Sequence, residues 1–335
     1  PTHHRRQATA SDGGLMLKNS LALIGALAAF PAAGAPTFSM PVDCELGETC
    51  FIQNYVDHNE GDGYFDHTCG PLAYDGHKGT DFALPSTDAM DDGVNVLAAA
   101  DGVVLGTRDG MVDKVIATED IPKLNGKDCG NGVSIDHGNG WVSQYCHMKQ
   151  GSVIVSQGDT IARGQVLGQI GLSGRTQFPH LHISIRDGNR VVDPFAPDRL
   201  GVCGENYETL WEDDISYVGG GLIRVGFEVG VPKFASVKSG MAGRNRMPAQ
   251  AKALVLFGYA FGSLPKDEMR LTITGPQGKV FEHITVMEKS QAQYFRAGGK
   301  RTPMGGWPKG IYHGEVTITR DGAQLDHQAI TLTVE

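Results

Sequence analysis

The chain has 335 residues, 40% hydrophobic and 20% charged, which is enough for about two packed domains and too apolar for disorder throughout. Its net charge of −9 argues against a nucleic-acid binder held by phosphate contacts. No apolar run reaches the roughly 20 residues that a membrane-spanning helix needs, so a polytopic membrane protein is excluded.

Residues 1–35 read as an address rather than as structure. Lys18 follows Met16, and Leu21 to Ala35 is apolar, broken by Pro31 and closed by small residues. This is the pattern of a secretory signal peptide, with the start expected at Met16 and cleavage after Ala28 or Gly34. The chain is therefore expected to be exported to the periplasm, with secretion as the alternative, and to keep no integral membrane domain once the signal is removed. Residues 36–64 form an N-terminal segment. Within it, Asp57-His58-Asn59-Glu60-Gly61-Asp62-Gly63 is like a calcium loop, but its glycine is misplaced and no Glu stands at the twelfth position, so it reads as a turn.

From 65 to 200, short β-type runs alternate with Gly, Asn and Asp: Val94–Ala98, Gly102–Leu105, Val133–Asp136, Val142–Tyr145, Val166–Ile170 and His180–Ile185. They predict a compact antiparallel sheet. A polar stretch ending in Gly219-Gly220-Gly221 makes 201–221 a linker. Beyond it, 222–335 carries at least six more strands: Ile223–Val229, Ala253–Phe257, Met269–Ile273, Val280–Val286, Tyr312–Thr319 and Ala329–Val334. Their spacing predicts an immunoglobulin-like β-sandwich. The fold class is mainly β. Charge supports the division, because 36–215 is net −17 and 216–335 is net +6, a contrast that would let the basic C-terminal domain dock on the acidic one.

All six cysteines lie between 44 and 203, and an even count in an exported chain predicts disulfides. Strands around the turn His137-Gly138-Asn139-Gly140, in a register where facing residues sum to 275, place Cys129 opposite Cys146 and predict a bridge there. A zinc ribbon would need C-x-x-C spacing, which is absent.

Among 12 histidines, four stand apart. His180 and His182 share one face of a predicted strand. His77 and Asp81 are four apart, and Gly79 between them permits a bend that brings both to one ion. Imidazole nitrogen and carboxylate oxygen are a zinc ligand set. His147 follows the strand ending at Tyr145. His58, His67 and His137 read as loop or turn residues, and His313 and His327 as surface strand residues.

Gly76-His77-Lys78-Gly79-Thr80-Asp81-Phe82, Tyr145-Cys146-His147-Met148, and Gly171-Leu172-Ser173-Gly174-Arg175 leading into Pro179-His180-Leu181-His182 resemble the lysostaphin/LytM-type zinc metalloendopeptidases. The intervening Ala100-Asp101-Gly102-Val103-Val104, Asp136-His137-Gly138-Asn139-Gly140 and Val155-Ser156-Gln157-Gly158-Asp159 fit the same pattern. The likeness spans roughly 65–197 and does not reach the C-terminal domain. It implies a LytM-like peptidase domain at 65–200 holding one Zn2+ by His77, Asp81 and His182, with His147 and His180 catalytic. It further implies hydrolysis of peptidoglycan cross-links by a metal-activated water. The loop Ser173, Gly174 and Arg175 is expected to line the substrate groove. Arg108–Lys127 departs from the family pattern as an insertion. Two readings compete with this one: a non-catalytic cell-wall-binding or hydrolase-activating protein on the same fold, and a protease acting on proteins.

Overall fold

Val-, Ile- and Tyr-rich runs between glycine turns build a mainly β chain, seen in a computed structural model that describes residues 34–204 and 208–335. Apart from Gly34 and Ala35, the expected signal peptide and its Met16 start lie outside the described residues. Among the described residues, no helix is long and apolar enough to cross a membrane.

In chain order the first part comprises β1 (Phe51–Asn54), β2 (Thr80–Ala83), α1 (Thr87–Asp92), β3 (Asn95–Leu97), β4 (Gly102–Arg108) and β5 (Asn131–Gly138). It continues with β6 (Trp141–Met148), β7 (Thr160–Ile161), β8 (Val166–Gln169), β9 (His180–Asp187) and β10 (Arg190–Val192). Seven strands form an antiparallel sheet in the order β1-β2-β9-β6-β5-β4-β7, with β10 paired to β9, while β3 and β8 pair separately. Alternation along β9 sends Leu181, Ile183 and Ile185 into the core, each at most 1% exposed. His180, His182, Ser184 and Arg186 therefore share the opposite face.

The β5–β6 hairpin corrects the expected register. Val133 faces Tyr145 and Asp136 faces Val142, so partners sum to 278 rather than 275, and the turn tightens to Asn139-Gly140. Both turn residues have positive φ, 53° and 90°, as a two-residue hairpin turn requires. His137 consequently lies within β5, its Nε2 2.7 Å from Ser143 Oγ. Cys129 and Cys146 are nonetheless joined. Cys129 lies before β5, and the turn at Gly130 (φ 65°) carries it back over the ladder. The other bridges are Cys44–Cys50 and Cys69–Cys203.

The stretch expected as a linker is anchored to the first part at Cys203 and Trp211. Cys203 is tied to Cys69, Trp211 is 4% exposed against Phe82 and Phe195, and Phe38 bridges Trp211. Closing a loop of 134 residues in sequence, the Cys69–Cys203 bond contributes up to about 4–5 kcal/mol through the unfolded chain. His58 is also built in: its Nδ1–H donates to the carbonyls of Val202 (2.8 Å) and Arg199 (3.0 Å), and Nε2 meets Asp193 Oδ2 at 2.8 Å. Asp57, in the calcium-like loop, accepts backbone N–H groups from Asn59, Phe65 and Gly76.

The second part comprises β11 (Gly221–Glu228), α2 (Phe234–Ser239), β12 (Arg246–Met247), β13 (Ala253–Ser263) and β14 (Glu268–Gly275). It ends with β15 (Gly278–Val286), β16 (Gln291–Arg301), β17 (Gly310–Arg320) and β18 (Ala323–Val334). A three-stranded sheet, β11-β13-β16, and a five-stranded sheet, β12-β18-β17-β14-β15, enclose one core that includes Phe227, Leu256, Leu271 and Val316. β16 escapes the sequence reading because GlnAlaGlnTyrPheArgAlaGlyGlyLysArg offers no β-branched residue. The two parts also share apolar interior: Phe261 of β13 belongs to the first core, its ring 4.6 Å from that of Phe51. Beside this contact, buried Gln53 donates to the Ala292 carbonyl and accepts from the Gln293 amide.

Candidate metal centre

The register of β2 against β9 sets Asp81 directly opposite His182, so both side chains rise on one face as a cross-strand pair. His77 reaches the same point from the turn before β2, where Gly76 takes φ 73°. Gly79 matters for approach rather than for the expected bend. A Cβ there would lie 2.7 Å from the His182 ring and 2.5 Å from the Ile183 carbonyl oxygen.

Asp81 Oδ1 stands 2.8 Å from His182 Nδ1 and 3.1 Å from His77 Nε2, and these two nitrogens are 3.1 Å apart. A tetrahedral zinc with bonds of about 2.0–2.1 Å wants ligand atoms about 3.3 Å apart, so the triangle needs only slight expansion. The surroundings aim its lone pairs inward. His77 Nδ1 lies 2.6 Å from the Tyr55 carbonyl oxygen, which can only accept, so Nδ1 carries a proton and Nε2 is the nitrogen turned to the centre. The Asn54 amide donates to Asp81 Oδ2 at 2.9 Å and leaves Oδ1 for the centre. Two imidazoles and one carboxylate, with His77 and Asp81 buried and His182 partly so, suit zinc. Burial alone would raise the Asp81 carboxyl, but the imidazoles of His77 and His180 outweigh it and hold the group well below its usual range. Burial pushes His182 down despite Asp81, which favours the neutral, metal-ligating imidazole.

Removing the Asn54 amide should loosen this arrangement. Asn54→Ala is expected to weaken zinc binding about 10–100-fold with the sheet intact, checked by competition against a chromophoric chelator.

His147 and His180 sit beside the triangle, their rings 4.6 Å apart. In a regular strand His147 would point away from the face that Cys146 shares with His182. Its left-handed backbone (φ 64°) turns the ring back to the site. Three contacts impose that conformation: the Cys129–Cys146 bond, His147 N–H donating to Cys129 O at 2.8 Å, and His147 Nδ1–H donating to Ser173 O at 2.8 Å. Burial, then the adjacent His180 and His182, push the His147 imidazole well below its ordinary pKa, so it is a neutral acceptor at Nε2. His180 Nδ1–H donates to Phe178 O (2.9 Å), also directing Nε2 toward the site.

The centre lies in an open groove of about 900 Å³. Of the loop expected to line it, only Arg175 does so. Ser173 is fully buried behind the groove, its hydroxyl bonded to Asn131 N and Met148 O, and Gly174 packs against the Asp128 carbonyl. Ser173 thus positions His147 instead of meeting a ligand. Tyr74, its ring 4.3 Å from that of His77, lines the groove, and so do Ser184, Arg186 and, from the C-terminal sandwich, Phe234 and Lys238. Extending the period of two beyond His180 and His182 would have found Ser184 and Arg186. Asn54, the Tyr55 carbonyl and Lys238 carry no local sequence signal.

Residues 75–194 match the model of "Peptidase family M23". Over 117 residues the chain is 35% identical to the peptidoglycan DD-endopeptidase ShyA of Vibrio cholerae serotype O1, covering 35% of this chain and 22% of that protein. Over 116 residues it is 30% identical to the cell division protein DipM of Caulobacter vibrioides, covering 35% of this chain and 18% of that one. The matched stretch thus spans about a fifth of the length of these curated relatives. A solved zinc-containing peptidase from Vibrio cholerae aligns with 44% of this chain and 39% of its own at 26% identity, with a TM-score of 0.28.

Proposed function

We propose, from the peptidase family M23 domain that residues 75–194 form, that this chain is an exported zinc metalloendopeptidase hydrolysing peptide cross-links of bacterial peptidoglycan. The observation that carries this reading is the convergence of His77, Asp81 and His182 at the base of an open groove, with two further imidazoles beside them. The substrate is drawn from the relatives named as peptidoglycan endopeptidases. The catalytic unit is taken as 65–200 and the sandwich as 222–335. With no free cysteine among the described residues, the chain suits an oxidising compartment such as the periplasm.

In this reading His77 Nε2, Asp81 Oδ1 and His182 Nδ1 hold the zinc. Bound there, the ion supplies Lewis acidity toward a carbonyl oxygen and makes water more acidic. His147 and His180, each with Nδ1–H anchored to a backbone carbonyl, present Nε2 to the space above the triangle. They take the proton of the attacking water and return it to the leaving nitrogen. These backbone anchors keep both rings within reach without a conformational search.

Mass spectrometry of muropeptides released from purified sacculi tests the proposal, with His182→Ala as control. New fragments from one peptide cross-link, absent in the control, are the expected result. Intact sacculi after treatment with folded, zinc-loaded chain would reject the endopeptidase in favour of a wall-binding role.

A further inference from the structure

The groove differs in charge from the part of the chain around it. Residues 36–215 are net −17, yet Lys78, Arg175, Arg186 and Lys238 all line the groove. None of these four belongs to an ion pair among the described residues. Against them stand only Asp75 and Asp128, once Asp81 is assigned to the centre. Such a channel within an acidic body attracts anionic groups inward.

One cation comes from outside the catalytic unit. Lys238 lies in the last turn of α2 and lines the groove, and its position is fixed rather than tethered. Thr87 Oγ1 donates to Ser239 O across the junction, and the Gln53–Gln293 and Phe51–Phe261 contacts hold the sandwich against β1. The Lys238 ammonium donates to Gln177 O at 2.9 Å, which uses one of its three N–H groups. It stands 5.9 Å from the centroid of the Phe234 ring, which stacks in turn on Phe295. Burial against this aromatic shelf lowers the amine's pKa.

We infer that the C-terminal sandwich completes the substrate groove, and that Lys238 is a specificity residue that binds a free carboxylate of an acidic peptide substrate. The inference deepens the reading above and rests on it for the substrate. The hydrogen bond from Lys238 to the Gln177 carbonyl also braces the turn leading to His180, so recognition must be separated from bracing. Lys238→Gln separates them, since its amide can still donate to Gln177 O while the charge is lost.

The test compares a purified cross-linked muropeptide dimer with the same dimer after its carboxylates have been converted to amides, using the full-length zinc-loaded chain. Lys238→Gln is expected to raise KM for the acidic dimer about tenfold and to leave KM for the amidated dimer unchanged. The kcat values should stay within about threefold of wild type, and Lys238→Arg should restore the preference. A glutamine variant with wild-type KM and wild-type preference overturns the inference. So does a fall in kcat on both dimers, which would make Lys238 a brace alone. Direct binding of the intact dimer, by calorimetry, keeps the two proposals distinguishable. If the wild-type chain cleaves neither dimer, the endopeptidase reading falls, while a Kd about tenfold weaker in Lys238→Gln still supports carboxylate binding. An unchanged Kd, or no binding by wild type, overturns it.

Discussion

With His182 replaced by alanine, the chain is expected to bind no zinc in the groove and to lose peptide cleavage by at least about a thousandfold. In the proposed zinc site His182 supplies one of three ligand atoms, and its partner Asp81 is enclosed by His77, His180, His182 and Asn54. Without that imidazole, two ligands remain, too few for a catalytic zinc site. A metal ion contributes several kcal/mol to stabilising charge in such a transition state, and each ~1.4 kcal/mol is tenfold in rate. The fold should persist, because the core side of β9 is carried by Leu181, Ile183 and Ile185. Zinc stoichiometry, circular dichroism and turnover of the same sample check all three statements. Full zinc content in this variant would remove His182 from the ligand set.

Replacing His147 should give the opposite combination: zinc retained, cleavage reduced about 10²–10⁴-fold, the range for losing a general acid–base group. His147 contacts the ligands through its ring, 5.9 Å from that of His182, but contributes no atom to the triangle. Its left-handed backbone provides a control. Alanine at φ 64° keeps the steric cost that histidine already bears, whereas glycine relieves it. His147→Ala and His147→Gly should therefore be equally inactive despite different stabilities. Turnover near wild type in either variant would assign the proton transfer elsewhere, and parallel loss of zinc would make His147 a ligand.

Much of this site is legible in the sequence because two of its rules are local. A strand places every second residue on one face, which pairs His180 with His182, and a short turn returns His77 toward Asp81. What escapes is set by tertiary register. The β1–β2 pairing brings Asn54 to Asp81, and no spacing within 51–54 announces it. The hairpin illustrates how a local rule can reach a correct pair through an incorrect ladder. Cys129 and Cys146 are bonded, yet Cys129 gets there by a turn at Gly130 rather than by lying opposite Cys146 in the strands. Ser173 shows a different limit: a small polar residue in a glycine loop reads as groove lining, whereas burial makes it a support for His147. The strands of the sandwich are visible wherever β-branched residues alternate, and β16, which has none, is visible only through its pairing with β13.

Inheritance and cohesion have different lengths in this molecule. The stretch shared with relatives runs from 75 to 194, but the interior that buries its sheet extends from Phe38 to Phe261. A recombination event that exchanged the C-terminal sandwich for another module would expose Phe51 and leave the buried Gln53 amide without its Ala292 and Gln293 partners. Gln53 is the neighbour of Asn54, which steadies Asp81, so the seam between the two parts runs one residue from the support of the proposed metal site. A substitution at Phe51, Gln53, Phe261 or Gln293 therefore disturbs both parts at once, because each of these side chains packs or hydrogen-bonds across the seam.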